Sequence, residues 1–266
     1  MPTAAVLIAA YCDQSALNAS IASLDKEAEL TVIVVDDGSP TPLTVDSSAT
    51  PHKCALLRNP HNVGLTKSLN VGLAYVRDNG FDYVLRLDAG DLFQPGRASK
   101  QIEFLESNRE YAAVGGQALF IGLKGDQRSG EIFPTDYKVI LRRLHAKHCF
   151  IHPTLAFRME ALLDSGFYNE SFSTAQDYEL MFRLARKYPV TNLPDTLITY
   201  VDNAAGISVK RRQSQVYNRL RVMLKNFNPF EPLSYLGLLK SLPLLILPRH
   251  LIESIKVYLP EKRGWL

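Results

Sequence analysis

Two short apolar runs stop abruptly in carboxylates, and this constrains the fold more than any other feature. LTVIVV at 30–35 runs into Asp36-Asp37-Gly38-Ser39, and FDYVLRL at 81–87 into Asp88-Ala89-Gly90-Asp91. Runs this short, rich in Val, Ile and Leu and bounded by turn residues, read as strands covered on both faces. Between and around them lie AAVLIAA (4–10), KCALLR (53–58), and a helical face of Leu65, Leu69, Leu73 and Val76. Strands alternating with helices predict βαβ units on a mainly parallel sheet, an α/β fold. In open parallel sheets ligands gather at the carboxyl ends of the strands, so Asp36, Asp37, Asp88 and Asp91 are expected to face one cleft. Each acidic turn alone is also ordinary turn chemistry, since Asp and Gly favour turns; two of them at strand ends favour function. Clustered carboxylates repel unless a cation or hydrogen-bond donors hold them, which suits a metal with a phosphate ligand, or ribose and base groups.

Farther along, Pro95 suits the first turn of a helix carrying Ile102 and Leu105, YAAVGGQALFIG (111–122) reads as another strand, and helical patterns follow near 135–146, 176–188 and 210–227. The 266 residues, 46% hydrophobic and 21% charged, exclude disordered, collagenous and coiled-coil classes. Three separated cysteines, Cys12, Cys54 and Cys149, make neither a disulfide framework nor a thiolate zinc site, and point to a reducing compartment. MPTAAVLIAAYCD has no basic residue before its apolar run and reads as a first strand rather than a secretory signal. LPLLILP (242–248) is too short to span a bilayer. The frames of a phosphate-binding P-loop, a dinucleotide GxGxxG and a hydrolase GxSxG are all missing. Charge is uneven: residues 210–266 carry 11 Lys/Arg against 3 Asp/Glu, while 1–209 carry 19 against 24. The expectation is therefore a domain at 1–209 and a basic, amphipathic helical extension at 210–266.

Order and spacing of motifs carry a resemblance across about residues 4–208. They are Val35-Asp36-Asp37-Gly38-Ser39, Asn59-Pro60-His61-Asn62-Val63-Gly64 with Asn70 and Gly72, Arg86-Leu87-Asp88-Ala89-Gly90-Asp91, and His152-Pro153-Thr154. Gly166-Phe167-Tyr168-Asn169-Glu170 and Gln176-Asp177-Tyr178-Glu179-Leu180 follow, ahead of Tyr200 and Ser208. Together they resemble the family 2 glycosyltransferases, inverting enzymes of bacterial polysaccharide and O-antigen assembly on the GT-A fold, a Rossmann-like, mainly parallel central sheet flanked by helices. The resemblance implies a nucleotide site of Ala10, Tyr11, Asp36 and especially Asp37, with Arg58, Asn62 and Gly64 closing over base and ribose. It implies that Asp88, first aspartate of the family's Asp-x-Asp motif, meets ribose and the metal-bound pyrophosphate.

The chain departs from the family pattern in the same motif. Gly90 stands where the second aspartate, the main metal ligand, belongs, and Asn203 stands near the place of a late histidine ligand. A Mn²⁺ or Mg²⁺ site is left with Asp88 and Asp91, and Arg86 or Lys67 is an alternative cation for the leaving diphosphate. By resemblance the catalytic base is Asp177, in the first turn of a helix with Leu180 and Leu184; an aspartate there is also a plain helix cap. His152 is placed on the acceptor side or in a structural role. The implied partners are a nucleotide-sugar donor, UDP-linked by family frequency, and a glycan, lipid-linked acceptor. The basic extension, with Lys210, Arg211, Arg212, Arg219, Arg221 and Lys225, is expected on an anionic membrane, at the cytoplasmic face; a helical cap with solvated charges is the plainer reading. Nucleic acid is not expected. The rival functions are a sugar-nucleotide nucleotidyltransferase, whose glycine-rich basic loop is missing at Ala10-Tyr11-Cys12-Asp13, and a non-catalytic nucleotide-sugar scaffold, motivated by Gly90.

Overall fold

The computed structural model of the chain describes residues 2–48, 50–122, 125–128, 130–201 and 212–246. β1 (Ala4–Ala10), β2 (Leu30–Asp36), β3 (Lys53–Arg58) and β4 (Tyr83–Arg86) pair in the order β3-β2-β1-β4, all parallel. Val6, Leu7, Ile8, Val32, Ile33, Val34 and Val35 are completely buried, as strands covered on both faces require. Helix α1 (Gln14–Ala22) and helix α2 (Leu65–Asp78) make the crossovers. The Leu65, Leu69, Leu73, Val76 face of α2 packs on one side of the sheet beside Leu7 and Ile33. Leu17 and Ile21 of α1 pack on the other.

Beyond β4 the sheet becomes mixed. β8 (Ala156–Arg158) runs antiparallel to β4 and to β6 (Ala113–Ile121), and β6 runs parallel to β9 (Val190–Val201). β5 (Leu92–Phe93) pairs antiparallel with β9, and β7 (Gln127–Arg128) with β6. The expected mainly parallel sheet is thus the β3-β2-β1-β4 half, and the other half is largely antiparallel. β9 is a 12-residue strand in a stretch between the helical patterns at 176–188 and 210–227 where the sequence reading named no strand. Its Pro194-Asp195 pair looks like a turn, but the register shifts opposite Gly115 and Gln117 accommodate it without ending the strand.

Helices α3 (Arg97–Ser107), α4 (Tyr137–Arg143), α5 (Met159–Ser165) and α6 (Gln176–Ala185) complete the flanks. α3 starts after Gly96, two residues later than Pro95 suggested, because the Asp25 carboxylate accepts from the N–H groups of Gly96 at 2.8 Å and Ala98 at 3.2 Å. Helix α7 (Arg212–Lys225) is the expected basic helix, and helix α8 (Pro232–Ile246) follows, running through Pro243. Val222 and Met223 of α7 are buried in the core cluster that holds α6. The boundary expected at 209/210, together with Asn203, Ser208, Lys210, Arg211 and the amphipathic piece at 251–259, lies outside the described residues.

Candidate active site

Strand register alone brings the first site residues together: Ala10 lies beside Asp36, and Asp36 beside Arg58, at the carboxyl edge of β1, β2 and β3. Asp36 is fully buried, and its carboxylate anchors the turn that follows. It accepts from the N–H groups of Ser39 at 2.9 Å and Leu43 at 3.1 Å, and pairs with Arg58 at 2.7 Å. Burial pushes its pKa up, but the Ser39 and Leu43 bonds and the Arg58 charge outweigh that and hold it below the ordinary 3.8. Because the folded value is the lower one, this stabilisation is complete above pH 3.8 and is lost as pH falls through the folded value. Asp36→Asn is expected to flatten the acid limb of a melting-temperature profile, and an unchanged limb would contradict this account.

Asp37, whose side chain was expected on the base, spends its carboxylate on the protein. Oδ1 accepts from Asn59 Nδ2 at 3.0 Å and from Val63 N–H at 2.9 Å, and Oδ2 from Gly64 N–H at 3.0 Å. It therefore holds the 59–64 loop over the strand edge. Between the two carboxylates, Gly38 has φ +70°, and a Cβ there would come within 2.3 Å of the His61 backbone. Only glycine allows the two loops to approach this closely. Gly38→Ala is expected to destabilise the fold by about 3 kcal/mol from strain plus overpacking, seen as a fall in Tm; a Tm unchanged within error would refute the contact.

The loop opens onto a cleft of about 280 Å³ lined by Asn62, Gly64, Lys67, Glu170 and Ser173. Tyr11 stands at the same edge, 48% exposed, while Ala10 is buried and contributes backbone. The Cys12 N–H, at a left-handed φ of 58°, is held by Ser39 Oγ at 2.9 Å.

The second acidic turn is stitched to α1 by one hydroxyl. Ser20 Oγ accepts from Gly90 N–H at 2.9 Å and donates to Asp91 O at 2.8 Å. Gly90 has φ +103°, and a Cβ there would meet only Ala16 Cβ at an ordinary 3.6 Å, so the conformation rather than crowding selects glycine. Asp88 remains partly exposed, with Oδ1 paired to Arg86 Nη2 at 2.7 Å. Arg86 is not on the cleft surface, as expected from sequence, but fully buried, with Nη1 on the Leu7 carbonyl. It orients Asp88 from below.

Asp91 likewise turns inward. It is 4% exposed, with Oδ1 3.3 Å from the Val201 N–H, and burial plus the Asp88 charge raise its pKa to about 8. A carboxylate this deeply buried is not presented to the cleft as a metal ligand. Among the described residues no group of three His, Cys, Asp or Glu side chains could hold a metal. What the donor set does fit is a cation held jointly by Asp88 and the diphosphate oxygens of a bound nucleotide, since Mg²⁺ commonly takes one or two protein carboxylates and completes its shell elsewhere.

Asp177 sits in the first turn of α6, after Ala175 at a left-handed φ of 55°. Its side chain is 23% exposed. Burial pushes its pKa up, yet His148, His152 and its helix-end N–H bonds outweigh burial and hold it below the ordinary carboxylate value. His148 Nδ1 lies 3.5 Å from Oδ2. His152 is 9% exposed, with Nε2 2.7 Å from the Tyr168 hydroxyl, and burial together with Arg86 lowers its pKa. It is thus enclosed rather than open to an acceptor. Arg86, Tyr168 and His152 form a polar bridge under the floor of the site, from Asp88 to the neighbourhood of Asp177. Sequence reading passed over Ser20, which has no motif signal, and His148, whose partner is distant in sequence.

α7 closes this end of the site. Asn218 Nδ2 donates to Thr174 Oγ1 at 2.8 Å, Lys225 pairs with Glu179 at 3.0 Å, and the Arg221 guanidinium lies 4.3 Å from the Phe172 ring centre. Two of the basic residues expected on lipid headgroups, Arg221 and Lys225, thus also hold the helix to the rest of the domain.

Comparisons with known proteins identify the family and the fold. The description "Glycosyl transferase family 2" matches residues 5–167. A Haemophilus influenzae protein named an uncharacterized glycosyltransferase is 31% identical over 186 residues, covering 68% of this chain and 67% of that protein. The amylovoran biosynthesis glycosyltransferase AmsE of Erwinia amylovora is 30% identical over 171 residues, covering 62% of each chain, so this chain spans less than two thirds of that relative. Among solved structures, Staphylococcus aureus TarS 1–349 in complex with UDP superposes with TM-score 0.64 at 18% identity, covering 98% of this chain and 75% of that one. The Pyrobaculum calidifontis mannosyltransferase PcManGT, in complex with GDP-Man and Mn²⁺, superposes with TM-score 0.65 at 17% identity, covering 97% and 80%. With the family matched over more than half its length and the GT-A architecture reproduced, the chain belongs to glycosyl transferase family 2.

Proposed function

We propose that the protein is an inverting glycosyltransferase that moves one sugar from a nucleotide-sugar donor, UDP-linked by preference, to a hydroxyl of a lipid-linked glycan in bacterial surface-polysaccharide assembly. The observation that carries this reading is that Asp37 and Asp88 stand at the carboxyl edge of the sheet while Asp177, at the start of α6, shares with Asp88 the two neighbours Tyr168 and His152. Tyr11, Asn62 and the Gly64 backbone take the base and ribose, with Asp37 and Arg58 holding the loops that carry them. Asp88, presented by Arg86, faces the ribose and diphosphate. Lys67, exposed on the cleft, faces the leaving diphosphate; Arg86 is too deep to do so.

Asp177 takes the proton of the acceptor hydroxyl as its oxygen bonds to the anomeric carbon. The bond from that carbon to the diphosphate oxygen breaks on the opposite face, and the nucleoside diphosphate leaves with the electron pair. One displacement inverts the anomeric configuration. A divalent cation bound with the donor would supply charge neutralisation at the diphosphate, with Asp88 as its protein ligand. Mn²⁺ is then expected to bind the protein measurably only when UDP is present, and calorimetric titration with Mn²⁺ alone and with saturating UDP checks this. Equal Mn²⁺ affinity in both arms would mean a preformed metal site.

Within the basic, amphipathic extension, the apolar part of the membrane contact falls on α8. Ser234, Gly237, Leu238 and Ser241 of α8 face the domain, whereas Tyr235, Leu239, Leu242 and Leu245 are exposed, and Phe230 beside them is 92% exposed. An apolar stripe on the outer face suits insertion among acyl chains at a membrane surface. No helix among the described residues is long and apolar enough to cross a membrane. Leu239→Asp with Leu242→Asp is expected to reduce sedimentation with phosphatidylglycerol vesicles by at least about tenfold, since each leucine contributes about 1.5–3 kcal/mol on burial; unchanged sedimentation would remove α8 as the contact.

Release of UDP from a panel of UDP-sugars, with water or glycan extract as acceptor, tests the transferase reading. Binding of UDP with no turnover of any sugar would favour the scaffold reading that Gly90 suggests.

A further inference from the structure

His148 lies outside every motif of the family resemblance, yet its imidazole faces the Asp177 carboxylate. It sits on the segment between α4 and the short helical turn at His152–Thr154, and its Nδ1 is 3.5 Å from Asp177 Oδ2. Its ring is held on two sides, 5.4 Å from the Tyr178 ring and 6.0 Å from the Phe150 ring. Those contacts leave little freedom for the imidazole to turn Nδ1 elsewhere. Nε2 is buried and has no protein partner. The ring is therefore built to make one polar contact from the protein, and that contact is Asp177.

We propose that His148 is the positioning residue of Asp177, its neutral imidazole donating Nδ1–H to Oδ2 so that Oδ1 is left to receive the acceptor proton. This rests on Asp177 being the base. The separation of 3.5 Å is longer than a formed hydrogen bond, as catalytic contacts often are before substrate closes the site. The charged and titratable groups that face His148 are Asp177 and Tyr178 of α6, Arg219 of α7, and His152. Burial, with Arg219, disfavours the imidazolium, and Asp177 opposes them without prevailing, so the ring stays neutral at neutral pH. A neutral ring whose Nδ1 faces a carboxylate carries its proton on Nδ1, because two lone pairs would otherwise face each other. At neutral pH the contact stabilises ionised Asp177 through a donated N–H, and the imidazolium charge acts on Asp177 only at lower pH, where the ring is protonated. When the acceptor proton arrives on Asp177, no second proton has to move.

The test has two arms. In the first, imidazole Cε1–H resonances of the six histidines are titrated in the full chain. Asp177→Asn is expected to lower the titration midpoint of the resonance assigned to His148, through its loss in His148→Asn, by about one pH unit. A His148 midpoint that does not move when Asp177 is replaced overturns the proposal, whatever Asp177 does in catalysis. In the second, the pH profile of UDP release from UDP-sugars, with water as acceptor, is compared for wild type, His148→Phe and His148→Asn. Phenylalanine keeps the packing against Tyr178 and Phe150 and removes the donor; asparagine keeps a donor. His148→Phe is expected to lower kcat at least tenfold and to move the acid limb of kcat/KM upward by about one unit, with KM for the donor unchanged, and His148→Asn to restore most of both. A loss of kcat with no movement of the acid limb, or equal loss in both variants of unchanged Tm, means a packing role only and overturns the proposal. Retention of activity by Asp177→Asn would instead sink the base assignment, and the resonance arm would still report on the contact.

Discussion

Asp177→Asn is expected to reduce turnover by about 10³- to 10⁴-fold while leaving UDP affinity within about twofold. General-base assistance contributes about 10²- to 10⁴-fold, and asparagine has the shape of aspartate and still accepts hydrogen bonds at the α6 N-terminus, but cannot take the acceptor proton. The pH dependence gives the sign. His148, His152 and the helix-end N–H groups hold Asp177 below the ordinary carboxylate value against the opposing effect of burial. It is therefore ionised throughout the neutral range, and activity is lost as pH falls through that low value, not near neutrality. An acid limb near pH 6 to 7 in the wild type would show that another group is the base, or that bound substrate raises Asp177 by several units. Initial rates with UDP-sugars from about pH 3 to 9, for wild type and variant, measure both quantities.

The second large effect falls on Asp37. Its carboxylate accepts three hydrogen bonds at 2.9–3.0 Å from Asn59, Val63 and Gly64 and is 5% exposed. Hydrogen bonds to a charged acceptor contribute about 1.5–3 kcal/mol each, and stranded donors add a desolvation cost. Asp37→Ala is expected to cost on the order of 4 kcal/mol, a fall of roughly 10 °C in Tm for a chain of this size, and to abolish measurable UDP binding because the 59–64 loop loses its anchor. Asp37→Asn, which retains one acceptor oxygen, is expected to lie between the two. This separates an anchoring role from direct base recognition. A carboxylate that only touched the base would lower affinity and leave Tm unchanged.

The parallel half of the fold was legible because each of its strands is a self-contained apolar run closed by turn residues. The acidic ends of β2 and β4 gave the functional edge for the same reason. β9 was illegible because Pro194-Asp195 mimics a turn, and only its partner β6 shows that the strand continues past a register shift. β8 was missed because three residues carry no period. Within the site, motif spacing identified Asp36, Asp37, Asp88 and Asp177 but not how deep each lies. Depth decides chemistry here. Arg86 became a buried support for Asp88, Asp91 a protonated interior acid, and His152 an enclosed partner of Tyr168. Sequence spacing cannot report these differences, because they depend on which side of the sheet edge each turn folds. His148 and Ser20 lacked any signal, since each acts on a residue 29 and 70 positions away. The basic, amphipathic tail reads as membrane-facing as a whole, and the structure divides its parts. Lys225 and Arg221 pack on α6 and the 171–174 loop, and the exposed apolar stripe lies on α8, where charge is sparse.

The central claim is that the sheet edge bearing Asp37 and Asp88 is a nucleotide-sugar site. Calorimetric titration of the full chain with UDP, GDP and dTDP, repeated on Asp88→Ala, tests it most directly. The account predicts one-site binding of one nucleotide, UDP, over the other two, weakened at least tenfold by Asp88→Ala at a temperature below that variant's melting transition, since the loss of the carboxylate partner of buried Arg86 also lowers Tm. No binding of any of the three, or binding that Asp88→Ala leaves intact, would contradict it.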